Sequence, residues 1–431
     1  MREKLKLTPL EKHWILYDIG NSAFVLLVST ILPIYFGVLA AQADISESDY
    51  LAFWGYAGSV ATVLVAFLAP VCGALADQKG FKKPLFLASV LIGVASCAAM
   101  GVAWSWLSLL AIYVITKVAY NASIVFYDSM LPEVTILEKM DRVSVLGFAW
   151  GYIGSVIPFA LSLCVVLFYE SLGISQMTAL MIAIVITAVW WLVCSLPLAK
   201  SYKQIAYVTG KGNPIRNSFK QLGNTFREAK KHKHIFIYLM SFFFFIDGVY
   251  TIIEMATAYG KALGLETTGL LMALLVTQIV AFPFSILFGR LSMSFDTGKL
   301  IKLCIGAYTG ITLFAVFLQT QWQFWTLAVL VGMFQGGIQA LSRSYLAKII
   351  PPQQSGEYFG LMDICGKGAS FVGMFLIAVV SQLTEGITFR IFGLEIHNTG
   401  LAVGTLVLLF VVGFVLFCKA DKLSKAAGCR R

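Results

Sequence analysis

Charged residues are scarce in this chain: Asp, Glu, Lys and Arg make up only 13% of its 431 residues, whereas hydrophobic residues make up 59%. Soluble globular domains carry about 25% charged residues, so a soluble protein of this composition could not cover its own surface. The composition therefore excludes a secreted domain, a cytosolic enzyme, a disordered protein and a nucleic-acid-binding module. Lipid must be the solvent for most of the chain.

Motifs for nucleotide-driven or enzymatic chemistry are also missing. The sequence contains no G-x-x-x-x-G-K-[S/T], so it encodes no nucleotide-driven pump. It offers no nucleophile–base pair and no metal-ligand cluster, and we interpret His232 and His234 as part of a basic loop. We therefore expect no enzyme activity, no cofactor and no bound metal.

Long apolar runs are abundant and continuous. A transmembrane helix needs about 20 mostly apolar residues, and the runs here reach that length without the ten-residue alternation of a β-barrel. The sequence therefore predicts an all-α membrane protein with twelve transmembrane helices. The spans, numbered 1 to 12, are predicted at 14–40, 52–76, 84–103, 106–130, 144–169, 177–198, 235–260, 267–292, 300–319, 322–347, 356–383 and 398–418.

The basic residues are distributed very unevenly between the two sides of these spans. Of the 32 Lys and Arg residues, 28 fall on the side of the termini and two, Lys261 and Arg390, on the opposite side, while Lys117 and Lys367 lie inside spans. The positive-inside rule therefore predicts that both termini are cytoplasmic. The formal net charge of +10 thus reflects topology, with anionic lipid as a secondary partner.

A long cytoplasmic loop divides the chain in two. Six spans precede it, which predicts an N-terminal six-helix bundle at 1–198, a cytoplasmic linker at 199–234, a C-terminal six-helix bundle at 235–418 and a cytoplasmic tail at 419–431. Two repeats of this kind around a site near the middle of the membrane are typical of secondary transporters.

Polar and charged residues inside the spans recur on every third helix. A charge in the hydrocarbon region is costly, so each one is a candidate functional residue. In spans 1, 4, 7 and 10 the polar residues share one helical face, a pattern that scattered structural residues have no reason to follow. The four faces contain Asp18 and Asn21; Lys117, Asn121 and Asp128; Asp247, Tyr250, Thr251 and Glu254; and Gln335, Gln339, Ser342 and Arg343.

Depth along each helix separates binding candidates from gating candidates. The rise along a helix is about 1.5 Å per residue, which places Asp247 and Gln335 roughly 20 Å from an end of their spans. Lys117 and Lys367 lie roughly 16–18 Å from an end of theirs. The residues predicted to bind solute or ions are Asp247, Lys117, Asn121, Tyr250, Thr251, Gln335, Gln339, Asp363 and Lys367. The residues predicted to gate the cytoplasmic side are Asp18, Asn21, Asp128 and Arg343.

Two of these assignments have alternatives that the sequence leaves open. Asp363 and Lys367 are i and i+4 neighbours, so they can neutralise each other as an internal pair. Asp247 has no cationic neighbour on its own helix, so its carboxylate binds solute or a proton, or else bonds to another helix. Carboxylate and ammonium groups at middle depth suit a small zwitterion such as an amino acid.

The loop after span 2 carries a recognisable motif. Residues 73–83 read GALADQKGFKK and resemble the cytoplasmic loop signature of the major facilitator superfamily, G-x-L-a-D-x-x-G-x-[K/R]-[K/R]. Further segments resemble the "unknown major facilitator" family, which includes the autophagy-related vacuolar amino-acid effluxers. These segments are residues 14–24, 245–252, 336–344 and 357–360.

The resemblance implies a rocker-switch transporter with the major facilitator fold, whose cavity is lined by spans 1, 4, 7 and 10. By analogy, Asp77 latches the cytoplasmic side at the N-terminus of span 11, where the helix dipole favours an anion, and Lys82 and Lys83 support this loop. The second copy of the loop departs from the pattern because Gly289 and Asp296 are too far apart. Whether the second half has a latch is therefore left open.

We expect a multi-pass secondary transporter of small polar solutes, with amino acids as the leading class and a proton as the coupling ion. A sugar or organic-anion permease is the second interpretation, because Gln, Asn and Tyr also suit hydroxyl groups, and a non-transporting receptor or scaffold is the third. The expected partners are solute, protons and the lipid bilayer. We expect a monomer in the cell (inner) membrane, or in the vacuolar membrane if the source is fungal.

Overall fold

The computed structural model describes residues 6–209, 224, 232–384, 389–391, 394–396 and 398–428. Within these residues, eleven helices are long and apolar enough to cross a membrane. The helix Ser355–Leu383 occupies the position of span 11, and its described apolar part is Val372–Leu383. The predicted all-α class with twelve spans is confirmed, and the cytoplasmic location of the termini stays a prediction.

The observed helices follow the predicted spans closely. Spans 1 to 6 are formed by Pro9–Ser29 with Ile31–Gln42, Glu47–Ala76, Lys82–Met100, Trp106–Ser129, Met140–Leu167 and Gln176–Ser201. Spans 7 to 12 are formed by Lys233–Ala262, Thr267–Leu291, Thr297–Val316, Gln321–Ile349, Ser355–Leu383 and Asn398–Gly404 with Leu406–Ala426.

Short elements connect some of the spans. The helix Leu131–Val134 and the 3₁₀ turn Leu137–Lys139 lie between spans 4 and 5, and a second 3₁₀ turn, Pro352–Gln354, precedes span 11. A hairpin that the sequence did not predict, β1 (Phe389–Ile391) with β2 (Leu394–Ile396), lies between spans 11 and 12, and its strands pair antiparallel.

Polar residues placed just before the apolar runs start several helices. The Thr8 side chain accepts from the Glu11 N–H while the Glu11 carboxylate accepts from the Thr8 N–H, and Pro9 occupies the first turn of span 1. This reciprocal arrangement satisfies backbone donors that have no partner inside the helix. The same arrangement recurs before span 4 at Ser105 and before span 10 at Thr320.

Span 1 is broken near its middle, where the sequence predicted one helix over 14–40. The break falls at Thr30, whose φ of −131° and ψ of −71° are not helical. Pro33 explains it, because proline has no N–H to donate to the Ser29 carbonyl and its ring crowds that carbonyl. The Thr30 hydroxyl instead donates to the Leu26 carbonyl at 2.5 Å.

Two compact units divide the chain, and their bounds do not coincide with the predicted bundles. Unit 1 comprises the described residues of Met1–Ile136, Trp150–Leu222 and Pro352–Gly360, and unit 2 comprises those of Leu137–Ala149, Gly223–Pro351 and Leu361–Arg431. Unit 1 therefore includes the first turns of span 11, and unit 2 includes the first turns of span 5.

Each unit has an aromatic interior and an apolar exterior. In unit 1, Trp14 stacks on Tyr127, and both rings are buried. In unit 2, Tyr238 stacks on Tyr345 in the same way. Large apolar side chains are nevertheless exposed on both units, among them Phe67 at 74% and Trp322 at 80%. A water-facing protein would bury such groups, so this surface fits a lipid environment.

Candidate functional site

In unit 1, spans 1 and 4 are joined by a buried hydrogen bond between two polar side chains. The Tyr17 hydroxyl on span 1 donates to Ser123 Oγ on span 4 at 2.6 Å. Asp18 and Asn21 are both buried, and the Asn21 amide nitrogen donates to the Tyr17 carbonyl at 3.1 Å and to Asp18 Oδ1 at 3.4 Å. These two predicted gate residues therefore form one local group.

Lys117 and Asn121 lie on the same face of span 4. Lys117 is half-buried, and its Nζ lies 5.7 Å from the centre of the Tyr113 ring, a cation–π distance. The Asn121 side chain is buried and donates to the Lys117 carbonyl at 2.7 Å. Asp128, the third residue of this stripe, is half-buried near the end of the helix.

In unit 2, the Asp247 carboxylate lies fully buried between spans 7 and 11. Its two oxygens accept from the Gly373 N–H, at 2.9 and 3.1 Å, and Oδ1 also accepts from the Thr251 hydroxyl at 3.2 Å. The interhelical bond that the sequence left open for Asp247 is therefore present. A solute or proton role remains a prediction.

This bond depends on the absence of a side chain at position 373. A Cβ built on Gly373 would overlap the Thr251 hydroxyl and would come within 2.7 Å of Asp247 Oδ1. No real Cβ tolerates such contacts, so only glycine lets span 11 approach span 7 this closely.

Span 10 carries buried polar atoms without protein partners. Gln335 Oε1 and Ser342 Oγ are buried and have no hydrogen-bond partner within the part of the chain that the structure describes. They are seven residues apart, so they share one helical face with the half-buried Gln339. Buried polar atoms in native proteins are nearly always paired, so these two are candidate partners for a solute or a water molecule.

The remaining predicted binding residues lie on spans 7 and 11 of the same unit. Tyr250 is half-buried, and a Cβ built on Gly366 of span 11 would lie 3.8 Å from its ring. Asp363 is also half-buried. The Lys367 side chain lies outside the described residues, so the proposed Asp363–Lys367 pair stays a prediction.

At the end of span 2, Asp77 lies where the resemblance places it, against the start of span 11. Its carboxylate is fully buried and accepts from the Gly356 N–H at 2.8 Å and the Glu357 N–H at 2.9 Å. A Cβ on Gly73 would overlap the Gly356 backbone, which explains the glycine that opens the motif. All of these residues belong to unit 1.

Lys82 and Lys83 have different surroundings, although the resemblance assigns them one supporting role. Lys82 is fully buried, and its Nζ donates to Glu133 Oε1 at 2.8 Å and Ser355 Oγ at 2.9 Å, with Asp77 Oδ1 at 3.9 Å. Among the described residues, Lys83 donates to the Lys200 carbonyl at 3.2 Å, an exposed bond. The buried network thus depends on Lys82.

The first part of the predicted linker, residues 202–208, is fastened to the same loop. The Gln204 side-chain oxygen accepts from the Gly80 N–H at 2.9 Å, and its nitrogen donates to backbone carbonyls at the end of span 2 and in the loop. The Val208 N–H donates to the Asp77 carbonyl at 2.8 Å. This segment therefore holds the loop that carries Asp77.

The charge state of Asp77 is expected to affect stability near neutral pH. Burial raises the pKa of this carboxyl to about 7, while the Lys82 ammonium and the two N–H groups oppose the shift. In the unfolded chain the pKa returns to about 4, so the folded state binds the extra proton between about pH 4 and 7. The stability from this proton is complete below about pH 4 and is lost as the pH rises through 7.

We therefore expect the melting temperature of the wild-type chain to fall between pH 5 and pH 8 by more than that of Asp77→Asn. The measurement is thermal unfolding in detergent across this range. Asp44→Asn, which neutralises an exposed carboxyl, serves as the control and should keep the wild-type slope. Equal slopes for wild type and Asp77→Asn would contradict the assignment.

Two acidic residues on the predicted cytoplasmic side of the membrane were missed by the sequence prediction. Glu133 binds Lys82 and also accepts from the Tyr202 hydroxyl and from the N–H groups of Ile205 and Ala206. Asp141 is buried at the start of span 5. Their negative charge could have identified them, because both lie on the side of the membrane where basic residues dominate.

Comparisons with known proteins identify relatives of this chain. The family model described as "Vacuole effluxer Atg22 like" matches residues 10–423. The Bacillus subtilis protein described as "Uncharacterized MFS-type transporter YxiO" is 39% identical over 416 residues, which are 95% of this chain and 94% of that one. Autophagy-related protein 22 of Eremothecium gossypii is 23% identical over 365 residues, 77% of this chain and 71% of that one.

A solved structure shows the same fold. A structure of the E. coli fucose:proton symporter FucP superimposes with a TM-score of 0.68 at 14% identity, covering 96% of this chain and 97% of that one. Together with the 39% identity to the MFS-type transporter of Bacillus subtilis, this fold identifies a multi-pass transporter of the major facilitator superfamily.

Within that superfamily, the chain belongs to the Atg22-like vacuole effluxer family.

Proposed function

We propose that this chain transports amino acids across the cell membrane as a proton-coupled, monomeric secondary transporter that works by alternating access. The observation that carries the proposal is the pair of buried polar atoms on span 10, Gln335 Oε1 and Ser342 Oγ, which lack partners among the described residues. A polar solute supplies the hydrogen bonds that these atoms lack.

Groups of both charges support amino acids as the solute class. Among the predicted binding residues are an ammonium, Lys117, and a carboxylate, Asp247, and each lies near the middle of its own span. An amino acid carries both charges. The family model that matches this chain is described as vacuole effluxer Atg22 like, and the resemblance connects this family with amino-acid efflux.

A sugar or organic-anion permease is the second candidate. The same atoms of Gln335 and Ser342 suit hydroxyl groups, and the FucP structure with the same fold is that of a fucose:proton symporter. A thermal-shift screen of the purified chain against amino acids, sugars and organic acids separates the two candidates, because a bound solute raises the melting temperature of the folded state.

Asp247 is the residue that we propose for proton coupling. We expect wild-type protein in liposomes to take up radiolabelled amino acids faster with a pH gradient than without one. In Asp247→Asn the gradient should have no effect, because an amide does not take up the proton. The asparagine oxygen can still accept from the Gly373 N–H, so the fold is expected to persist.

Glu254→Gln is the matched control, since it neutralises an exposed carboxyl two turns along the same helix. This variant should keep the response to the gradient. If Asp247→Asn responded to the gradient as the wild type does, Asp247 would have no role in coupling. If no amino acid were taken up under any condition, the solute class proposed here would be wrong.

A further inference from the structure

The first turns of span 5 make a buried ionic contact in unit 2. Asp141 is 4% exposed, and its carboxylate accepts from Thr297 Oγ1 and Ser344 Oγ, each at 2.6 Å, and from Lys348 Nζ. Thr297 begins span 9, and the other two residues lie near the end of span 10. A single carboxylate therefore joins the start of span 5 to two other helices.

A second contact lies one turn further along span 5. Arg343 donates from Nε to Ser144 Oγ at 2.9 Å and from Nη2 to the Ser144 carbonyl at 2.8 Å. The Ser144 hydroxyl donates to the Ala340 carbonyl at 2.7 Å, and the Arg343 guanidinium lies 4.4 Å from the centre of the Phe148 ring. Asp141, Ser144 and Phe148 are three and four residues apart, so they form one face.

The loop position that corresponds to Asp77 is occupied by Asp296. Asp296 accepts from the Gly298 N–H at 2.7 Å and so caps its own helix, and its Oδ2 lies 3.7 Å from the exposed Lys425. Asp141, on span 5 itself, is an anion of unit 2 that bonds to two neighbouring helices. There the N-terminal end of span 5 also favours a negative charge.

We propose that Asp141 is a gating anion, whose bonds to Thr297, Ser344 and Lys348 hold the start of span 5 closed and release it during the transport cycle. This inference rests on the proposed transport function. It is the reverse of the arrangement at Asp77, where the anion is in the loop and the helix start supplies the donors. A permanent structural contact, which never releases, is the competing explanation.

The test measures release without any solute. Val145→Cys places a thiol on the buried face of span 5, opposite Gly289 of span 8, where it makes none of the bonds described above. Full-length protein in detergent is treated with a water-soluble maleimide, and labelling is followed by mass spectrometry for each peptide. The native Cys304, buried in span 9 of the same unit, is the internal reference.

We expect position 145 to be labelled faster than Cys304, because the contact opens while the protein stays folded. Adding Asp141→Asn should accelerate labelling at 145 by about tenfold or more, the factor expected for losing a hydrogen bond to a charged group. Labelling of Cys304 should not change.

Two further variants separate an ionic latch from general loosening. The charge-swapped pair Asp141→Lys with Lys348→Asp should restore slow labelling at 145, because the Thr297 and Ser344 hydroxyls can accept as well as donate. Asp296→Asn should leave labelling at the wild-type rate, since asparagine caps a helix as well as aspartate does.

Two results would overturn the inference. Labelling at 145 that is as slow as at Cys304 in every variant would identify a permanent contact. Acceleration at Cys304 in parallel with 145 would show that Asp141→Asn loosens the whole unit. Because no transport is measured, failure of the amino-acid uptake experiment leaves this test unaffected.

Discussion

Replacement of Lys82 by methionine is expected to lower the free energy of unfolding by about 3–5 kcal/mol, the cost of removing one partner from a buried ion pair. The substitution leaves the Glu133 carboxylate buried without its cation, and the Asp77 carboxylate loses a positive charge at 3.9 Å. The Ser129 carbonyl and the Ser355 hydroxyl also lose a donor. Thermal and denaturant unfolding in detergent provide the measurement.

Lys83→Met is the matched control, because it removes the same charge from the next residue. The Lys83 ammonium makes an exposed bond to a single carbonyl, so its loss should change the free energy of unfolding by less than about 1 kcal/mol. Similar effects of the two substitutions would show that the loop responds to net charge alone. The buried bonds of Lys82 would then contribute no more to the free energy of unfolding than the exposed bond of Lys83.

Replacement of Gly373 by alanine is the second change for which we expect a large effect. The added methyl would overlap the Thr251 hydroxyl and crowd Asp247, so spans 7 and 11 must separate or the helix must shift. Overpacking of this kind costs about 1–3 kcal/mol. The shift also lengthens the bonds from the Gly373 N–H to Asp247, so we expect loss of the pH-gradient response together with the lower melting temperature.

Gly366→Ala tests the same substitution two turns earlier in the same helix. A Cβ there would lie 3.6 Å from the Phe242 ring, an ordinary contact, and alanine favours a helix over glycine by up to about 1 kcal/mol. This variant should be as stable as the wild type or more so. A Gly373→Ala protein that behaved like Gly366→Ala would mean that the approach of spans 7 and 11 tolerates a side chain.

The polar network near Asp77 was only partly predictable from the sequence. The motif predicts Asp77, Lys82 and Lys83, and the structure places the Asp77 carboxylate on the start of span 11, 279 residues further along the chain than Asp77. The motif could not show that Lys82 is fully buried while Lys83 is only half-buried, because adjacent helical residues face directions about 100° apart. Only the neighbouring helices determine which direction is the interior.

The contacts that the linker makes could not be predicted from the sequence either. Gln204 lies in a stretch with no motif, yet its side chain binds three backbone groups at the end of span 2 and in the loop that follows it. A single glutamine with these bonds has no distinctive pattern, since the donors and acceptors it meets are backbone groups present at every residue.

The sequence by itself determined that lipid surrounds most of the chain. It also determined the number of spans and which helices carry polar faces. It did so because hydropathy and helical period are local properties, read within about 20 residues. Tertiary structure alone decided that Asp247 bonds to Gly373, that Lys82 rather than Lys83 is buried, and that Asp141 joins three helices. Those outcomes depend on how closely distant helices approach, which is set by the side chains on both sides of each contact.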